Sequence, residues 1–189
     1  MATGKPRFYW DTVCLIAWIT DEERRDPSEL DGLAEVIELQ AQRKATILMS
    51  VLWRAEIFSG ELADSQKKRL NKIFDFRLIE EVGIDRRVME LASEIRAFHR
   101  NSTAKSVLKN IRVPDAIHLA SAIHYEATEF HTFDGKKPDG RNVGKLLTLN
   151  GNVAGHRLKI CAPQAEQLRL NFTSRNDESD SNIESSGDE

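Results

Sequence analysis

Four acidic residues, Asp11, Glu56, Asp115 and Asp134, stand where a fold can gather carboxylates. Asp11 directly follows the aromatic run Phe8-Tyr9-Trp10, which reads as a buried strand, and Asp134 directly follows Glu129–Phe133, which reads as a further strand. Glu56 lies about one and a half turns into the helical pattern that follows the strand-like Thr46-Ile47-Leu48-Met49. Asp115 comes just after Pro114, at the start of a helix whose Ala116, Ile117, Ala120 and Ile123 recur at helical spacing. Carboxylates brought together repel one another, and a hard divalent cation such as Mg2+ or Mn2+ relieves that repulsion. Cations held by carboxylates suit phosphoryl chemistry, where water is activated and charge on a leaving oxygen is stabilised. An Asp at a helix start is usually a cap, so Asp115 alone would read as structural. The set of four is what points to a site.

The elements that must position these acids alternate. The pattern predicts strands over 8–10, 46–49, 76–82, 129–133 and 158–161. Between them it predicts helices: one opened by Asp26-Pro27-Ser28-Glu29 and continuing through Ala41, one over 51–58, and one over 62–74 with Lys67, Lys68, Arg69 and Lys72 on its outer face. Asp85 caps a further helix on which Val88, Leu91, Ala92, Ile95 and Phe98 form the apolar stripe. The polar 101–110 and the glycine-rich 136–155 read as loops. Strands alternating with helices predict an α/β fold with a mainly parallel sheet of about five strands. In such a sheet ligands bind beyond the C-terminal strand ends, the edge at which all four acids are expected.

Composition bounds the rest. The chain has 189 residues, 40% of them hydrophobic, enough for one domain with a real core. Residues 1–172 are expected to form that domain, and 173–189, with six acids and one base, to form a disordered acidic tail. The net charge of −3 is therefore uneven: the tail carries −5 and the body +2, which permits a polyanionic partner without requiring one. The tail reads either as a solubilising end or as a mimic of nucleic acid that competes for a basic loop. Cys14 and Cys161 are isolated, suggesting neither a disulfide framework nor a zinc site and fitting a reducing, cytoplasmic setting. The apolar stretch 8–19 contains Asp11 and is too short to span a bilayer, so neither a signal peptide nor a membrane partner is expected.

In order along the chain, Phe8-Tyr9-Trp10-Asp11-Thr12, Ser50 with Glu56, Pro114-Asp115-Ala116-Ile117-His118-Leu119-Ala120-Ser121-Ala122 and Thr132-Phe133-Asp134 resemble the successive motifs of the PIN-domain nucleases, with the VapC-like toxins as the subgroup most resembled. The resemblance covers roughly residues 7 to 163. It implies a three-layer α/β/α sandwich and a Mg2+- or Mn2+-dependent ribonuclease. Asp11, Glu56, Asp115 and Asp134 would be its metal-binding, catalytic acids, and Thr12, Ser50 and Thr132 polar supports around them. It also implies an antitoxin partner and, by analogy, a homodimer. The family often carries Asn two residues after the first acid, where this chain has Val13. The expected reaction is hydrolysis of an RNA phosphodiester by in-line attack of water, with the 3′ oxygen leaving and a 5′-phosphate formed. Lys136, Lys137, Arg141 and Lys145 read equally as contacts to flanking phosphates or as a solvated loop.

Other residues read more plainly. His118, one turn beyond Asp115, is expected to pack or hydrogen-bond, because a site made of acids needs no imidazole. His124 points to a different helix face, and His99, His131 and His156 show no ligand spacing. Phe8-Tyr9-Trp10 reads as core, and the cysteines as packing residues. Two further functions stand beside the toxin: an RNA-processing or defence nuclease without an antitoxin, and a non-catalytic module binding RNA or protein. A phospho-accepting signalling domain ranks lower, since no predicted strand ends in the lysine it would need.

Overall fold

A computed structural model describes residues 4–20, 27–57, 62–102, 110–135 and 146–163. The described strands are β1 (Arg7–Trp10), β2 (Thr46–Ser50), β3 (Glu80–Val82), β4 (Glu129–His131) and β5 (Lys159–Cys161). They form one sheet in the order β3-β2-β1-β4-β5, with every pair parallel. The helices are α1 (Thr12–Thr20), α2 (Pro27–Ala41), α3 (Trp53–Ile57), α4 (Asp64–Asp75), α5 (Arg86–Asn101) and α6 (Val113–His124), with a 3-10 turn over Leu146–Leu149. Alternation along the buried strands divides the core in two. Tyr9, Leu48 and Phe130 pack with α5 and α6 on one face. Phe8, Trp10, Ile47 and Met49 pack with α1 to α4 on the other. The result is the expected three-layer α/β/α sandwich.

Several boundaries moved for local reasons. The third strand begins at Glu80 rather than at residue 76, because the intervening residues close α4. Arg77 takes a positive φ of 49°, and the amides of Phe76, Arg77 and Leu78 donate to the carbonyls of Lys72, Phe74 and Ile73. The fourth strand stops at His131 because Thr132 turns its side chain to the site. Within 136–155, read as loop, Leu146–Leu149 is a 3-10 turn that buries Leu146, Leu147 and Leu149. On α5 the stripe ends on His99, 2% exposed, and not on Phe98, 49% exposed. The Asp85 cap is present, its carboxylate accepting the Val88 amide at 2.9 Å. Asp26, the tail 173–189 and the basic residues Lys136, Lys137, Arg141 and Lys145 lie outside the described residues. Among the described residues no helix is long and apolar enough to cross a membrane.

Candidate active site at the sheet switch point

The sheet order defines where a ligand belongs. From β1 the chain first builds outward through β2 and β3, then returns to add β4 and β5 on the other side. In open α/β sheets ligands bind at such a reversal of strand order, which here falls at the C-terminal ends of β1 and β4. Asp11 is the first residue after β1, and its amide donates to the His131 carbonyl at 3.0 Å, tying it to the end of β4. Thr132 bridges the two strand ends: its hydroxyl donates to Asp11 Oδ2 at 2.7 Å and accepts the Asp134 amide at 3.0 Å. Asp134 is held in turn by the 3-10 turn, whose Leu146 and Leu147 amides donate to its Oδ2 and its carbonyl.

Glu56 comes from α3. The turn into that helix is shaped by Ser50, whose hydroxyl accepts the Leu52 amide at 3.2 Å. Glu56 Oε2 accepts from the Thr12 hydroxyl and lies 3.0 Å from His118 Nε2. Burial works against the Glu56 charge, but these two donors outweigh it and hold its carboxyl below the usual range. Asp115 lies in the first turn of α6 without capping it. Both its oxygens receive the Arg112 guanidinium, Nε to Oδ2 at 3.0 Å and Nη2 to Oδ1 at 3.1 Å.

The acids sense one another. Burial pushes the Asp11 carboxyl above its ordinary range, and the charges of Glu56 and Asp115 push the same way, against the pull of His118 and Thr132. Arg112 is held protonated chiefly by its bonds to Asp115, with Asp134 and Asp11 adding to the field. The four predicted acids thus share one electrostatic neighbourhood. Their oxygens are nevertheless not drawn tight: the one trio of Asp, Glu, His or Cys ligand atoms within 4.8 Å of one another among the described residues is a different one, Glu129, His131 and Cys161. The donor set fits a hard cation, since it consists of carboxylate oxygens, and the charges of Glu56 and Asp115 add to burial in raising the proton affinity of Asp11. Arg112 now occupies both Asp115 oxygens.

Three contributors lay beyond what spacing along the chain reveals. His118 is 1% exposed and hydrogen-bonds as expected, but its partners belong to the site. Its Nδ1 lies 2.8 Å from the Tyr9 hydroxyl, which also accepts the Ser50 amide at 3.1 Å. Burial keeps Tyr9 a phenol, and His118 lies between it and Glu56, one ring nitrogen toward each. Ser50 and Tyr9 therefore act on Glu56 through His118. Tyr9 is core, as predicted for the aromatic run, with its hydroxyl in the site. The third is basic: Arg96, Arg100, Asn110, Ile111 and Arg112 line a pocket that shares Arg112 with the acids. Arg96 and Arg100 are one helical turn apart on α5, a repeat visible in sequence, but only the packing of α5 beside α6 brings them to Arg112.

Comparison with known proteins identifies the family and the fold. The PIN domain family model matches residues 8–138, from the middle of β1 to just beyond Asp134. Comparison with curated proteins finds no match. Among solved structures the chain is similar to VapBC2 from Rickettsia felis, bound to a DNA fragment from their promoter. The identity is 16% and the TM-score 0.51, covering 67% of this chain and 86% of that one, a likeness that speaks to the fold. With well over half its length matched, and the matched span carrying all four acids, the chain belongs to the PIN-domain family, a family of nucleases.

Proposed function

We propose that this chain is a Mg2+- or Mn2+-dependent endoribonuclease and the toxin of a toxin–antitoxin pair, acting in the cytoplasm. The observation that carries the catalytic reading is the convergence of Asp11, Glu56, Asp115 and Asp134 on the β1–β4 switch point, with the Asp11 carboxyl pushed up by burial and by its acidic neighbours. A divalent cation bound there supplies activation of water and neutralisation of charge on the transferring phosphate. The chain's own residues orient the ligands. Thr132 holds Asp11 and Asp134 together, Thr12 and His118 fix Glu56 in its ionised form, and Tyr9 orients the His118 ring. The guanidinium of Arg112 is then free to turn from Asp115 to an RNA phosphate, with Arg96 and Arg100 beside it. The antitoxin reading is supported by the likeness in fold to VapBC2, and a homodimer is proposed by analogy with the PIN-domain family.

Cleavage of mixed RNA and single-stranded DNA by the purified full chain, with Mg2+, Mn2+ or a chelator, tests this. Wild type should cut RNA only with the cation, and Asp11→Asn and Asp115→Asn should each lose at least about two orders of magnitude in rate. Cleavage that survives the chelator, or both substitutions, would refute the site. Well-folded protein that neither cuts nor binds the cation would point to a non-catalytic binding module. A small DNA-binding protein encoded beside this chain, blocking cleavage when co-purified, is the expected result for the toxin reading. Cleavage unaffected by any such neighbour favours a processing or defence nuclease.

A further inference from the structure

A second cluster lies on the sheet face that carries Phe8 and Trp10, at the β4–β5 edge. Glu129 and His131 are two residues apart on β4 and share that face. The parallel register sets Cys161 of β5 beside His131, and Lys159 beside Glu129. Glu129 Oε2 is the common point, 2.9 Å from His131 Nε2 and 3.5 Å from Cys161 Sγ. Its other oxygen, Oε1, receives Lys159 Nζ at 2.8 Å. His131 is fully buried and stacked on Phe8, and Glu129 and Cys161 are half-buried.

We propose that Glu129, His131 and Cys161 form a binding site for a zinc-type divalent cation, separate from the acids of the nuclease reading. A carboxylate oxygen, an imidazole nitrogen and a thiolate sulfur are the donors zinc takes, whereas Mg2+ prefers oxygen alone. Bonds of about 2.0 to 2.3 Å put the ligand atoms of a tetrahedral zinc about 3.3 to 3.7 Å apart. The Glu129–Cys161 separation of 3.5 Å already fits, and the Glu129–His131 contact of 2.9 Å has to open by only a few tenths of an ångström. On binding, the Cys161 thiol proton leaves to solvent, the imidazole carries its proton on Nδ1, and the cation takes lone pairs from Sγ, Nε2 and Oε2. Lys159 keeps Oε1 and so orients the carboxylate from outside the ligand set. The cation would pin edge strand β5 to β4 one residue before Thr132.

Titration of the metal-stripped, reduced full chain with Co2+ tests this directly. One equivalent should produce near-ultraviolet thiolate-to-cobalt charge-transfer absorption, reversed by Zn2+. Cys161→Ser should abolish the band, and Glu129→Gln should weaken binding at least about tenfold. Asp115→Asn, which alters only the acid site, should keep the band, so this result does not depend on nuclease activity. Circular dichroism on each variant confirms that it is folded. Absence of the band in folded wild type, or its survival in Cys161→Ser, would overturn the proposal.

Discussion

At the scale of single residues, Asp11 and Arg112 carry the site's main tensions. Folding raises the Asp11 carboxyl, so the folded state binds its proton more tightly than the unfolded chain does. Its contribution to stability is then fully present below the ordinary carboxylate range and fades as pH rises through the raised value. In chelator, Asp11→Asn should unfold at a higher temperature than wild type at neutral pH, and the gap should close in acid. With Mg2+ the order should reverse, because only wild type gains from the bound cation. Thermal melts at two pH values with and without Mg2+ check all of this. A wild type more stable than Asp11→Asn in chelator at neutral pH would contradict a carboxyl raised by burial and by its acidic neighbours. Arg112→Ala should separate two functions of one side chain, tightening Mg2+ several-fold by freeing Asp115 while weakening RNA several-fold. Calorimetry for the cation and a filter-binding assay for RNA would reveal it, and parallel changes would refute it.

At the scale of elements, β1 is both core and support. Its Tyr9 hydroxyl joins the Ser50 amide of β2 to His118 of α6, which steadies Glu56 on α3. Tyr9→Phe removes only that oxygen and leaves the Ser50 N–H buried without its acceptor. It should cost about 1 to 3 kcal/mol in denaturant melts. It should also lower kcat more than it changes KM, because it loosens Glu56 without touching RNA. An unchanged kcat at reduced stability would leave Tyr9 a packing residue. On the outer layer, Asp85→Ala should lower the melting temperature through loss of the α5 cap and leave cleavage intact.

At the scale of the whole molecule, acidic and basic features share one border. α6 carries Asp115 toward the strand ends, while α5 and the segment leading into α6 bring Arg96, Arg100 and Arg112 into one pocket. RNA bound there should show a salt dependence in which each phosphate contact contributes about −0.7 to the slope of log K against log salt. Replacing both Arg96 and Arg100 should flatten that slope by about 1.4, with cation binding unchanged. Binding measured across a salt series gives the answer, and an unaltered slope would remove the pocket from the RNA path.

The fold, and the element ends near which the four proposed acids lie, were legible in the chain because both depend on local order. Hydrophobic period separates strand from helix, and Asp11 follows directly on β1 while Asp134 lies three residues beyond the end of β4. The helix end at 76–78 was less legible, since a left-handed Arg77 leaves little trace in composition. The wiring of the site was not legible at all. Tyr9 and His118, 109 positions apart, meet only because β1 lies beneath α6. Arg112 reaches Asp115 within one turn, yet only the packing of α5 against α6 gives it Arg96 and Arg100 as neighbours. Cys161, isolated in sequence, gains Glu129 and His131 solely through the register of β4 with β5. Sequence by itself determined which groups this protein has and near which element ends they fall, because those follow from neighbours along the chain. Which groups touch was decided by tertiary structure alone, because sheet order and helix packing join segments far apart in sequence.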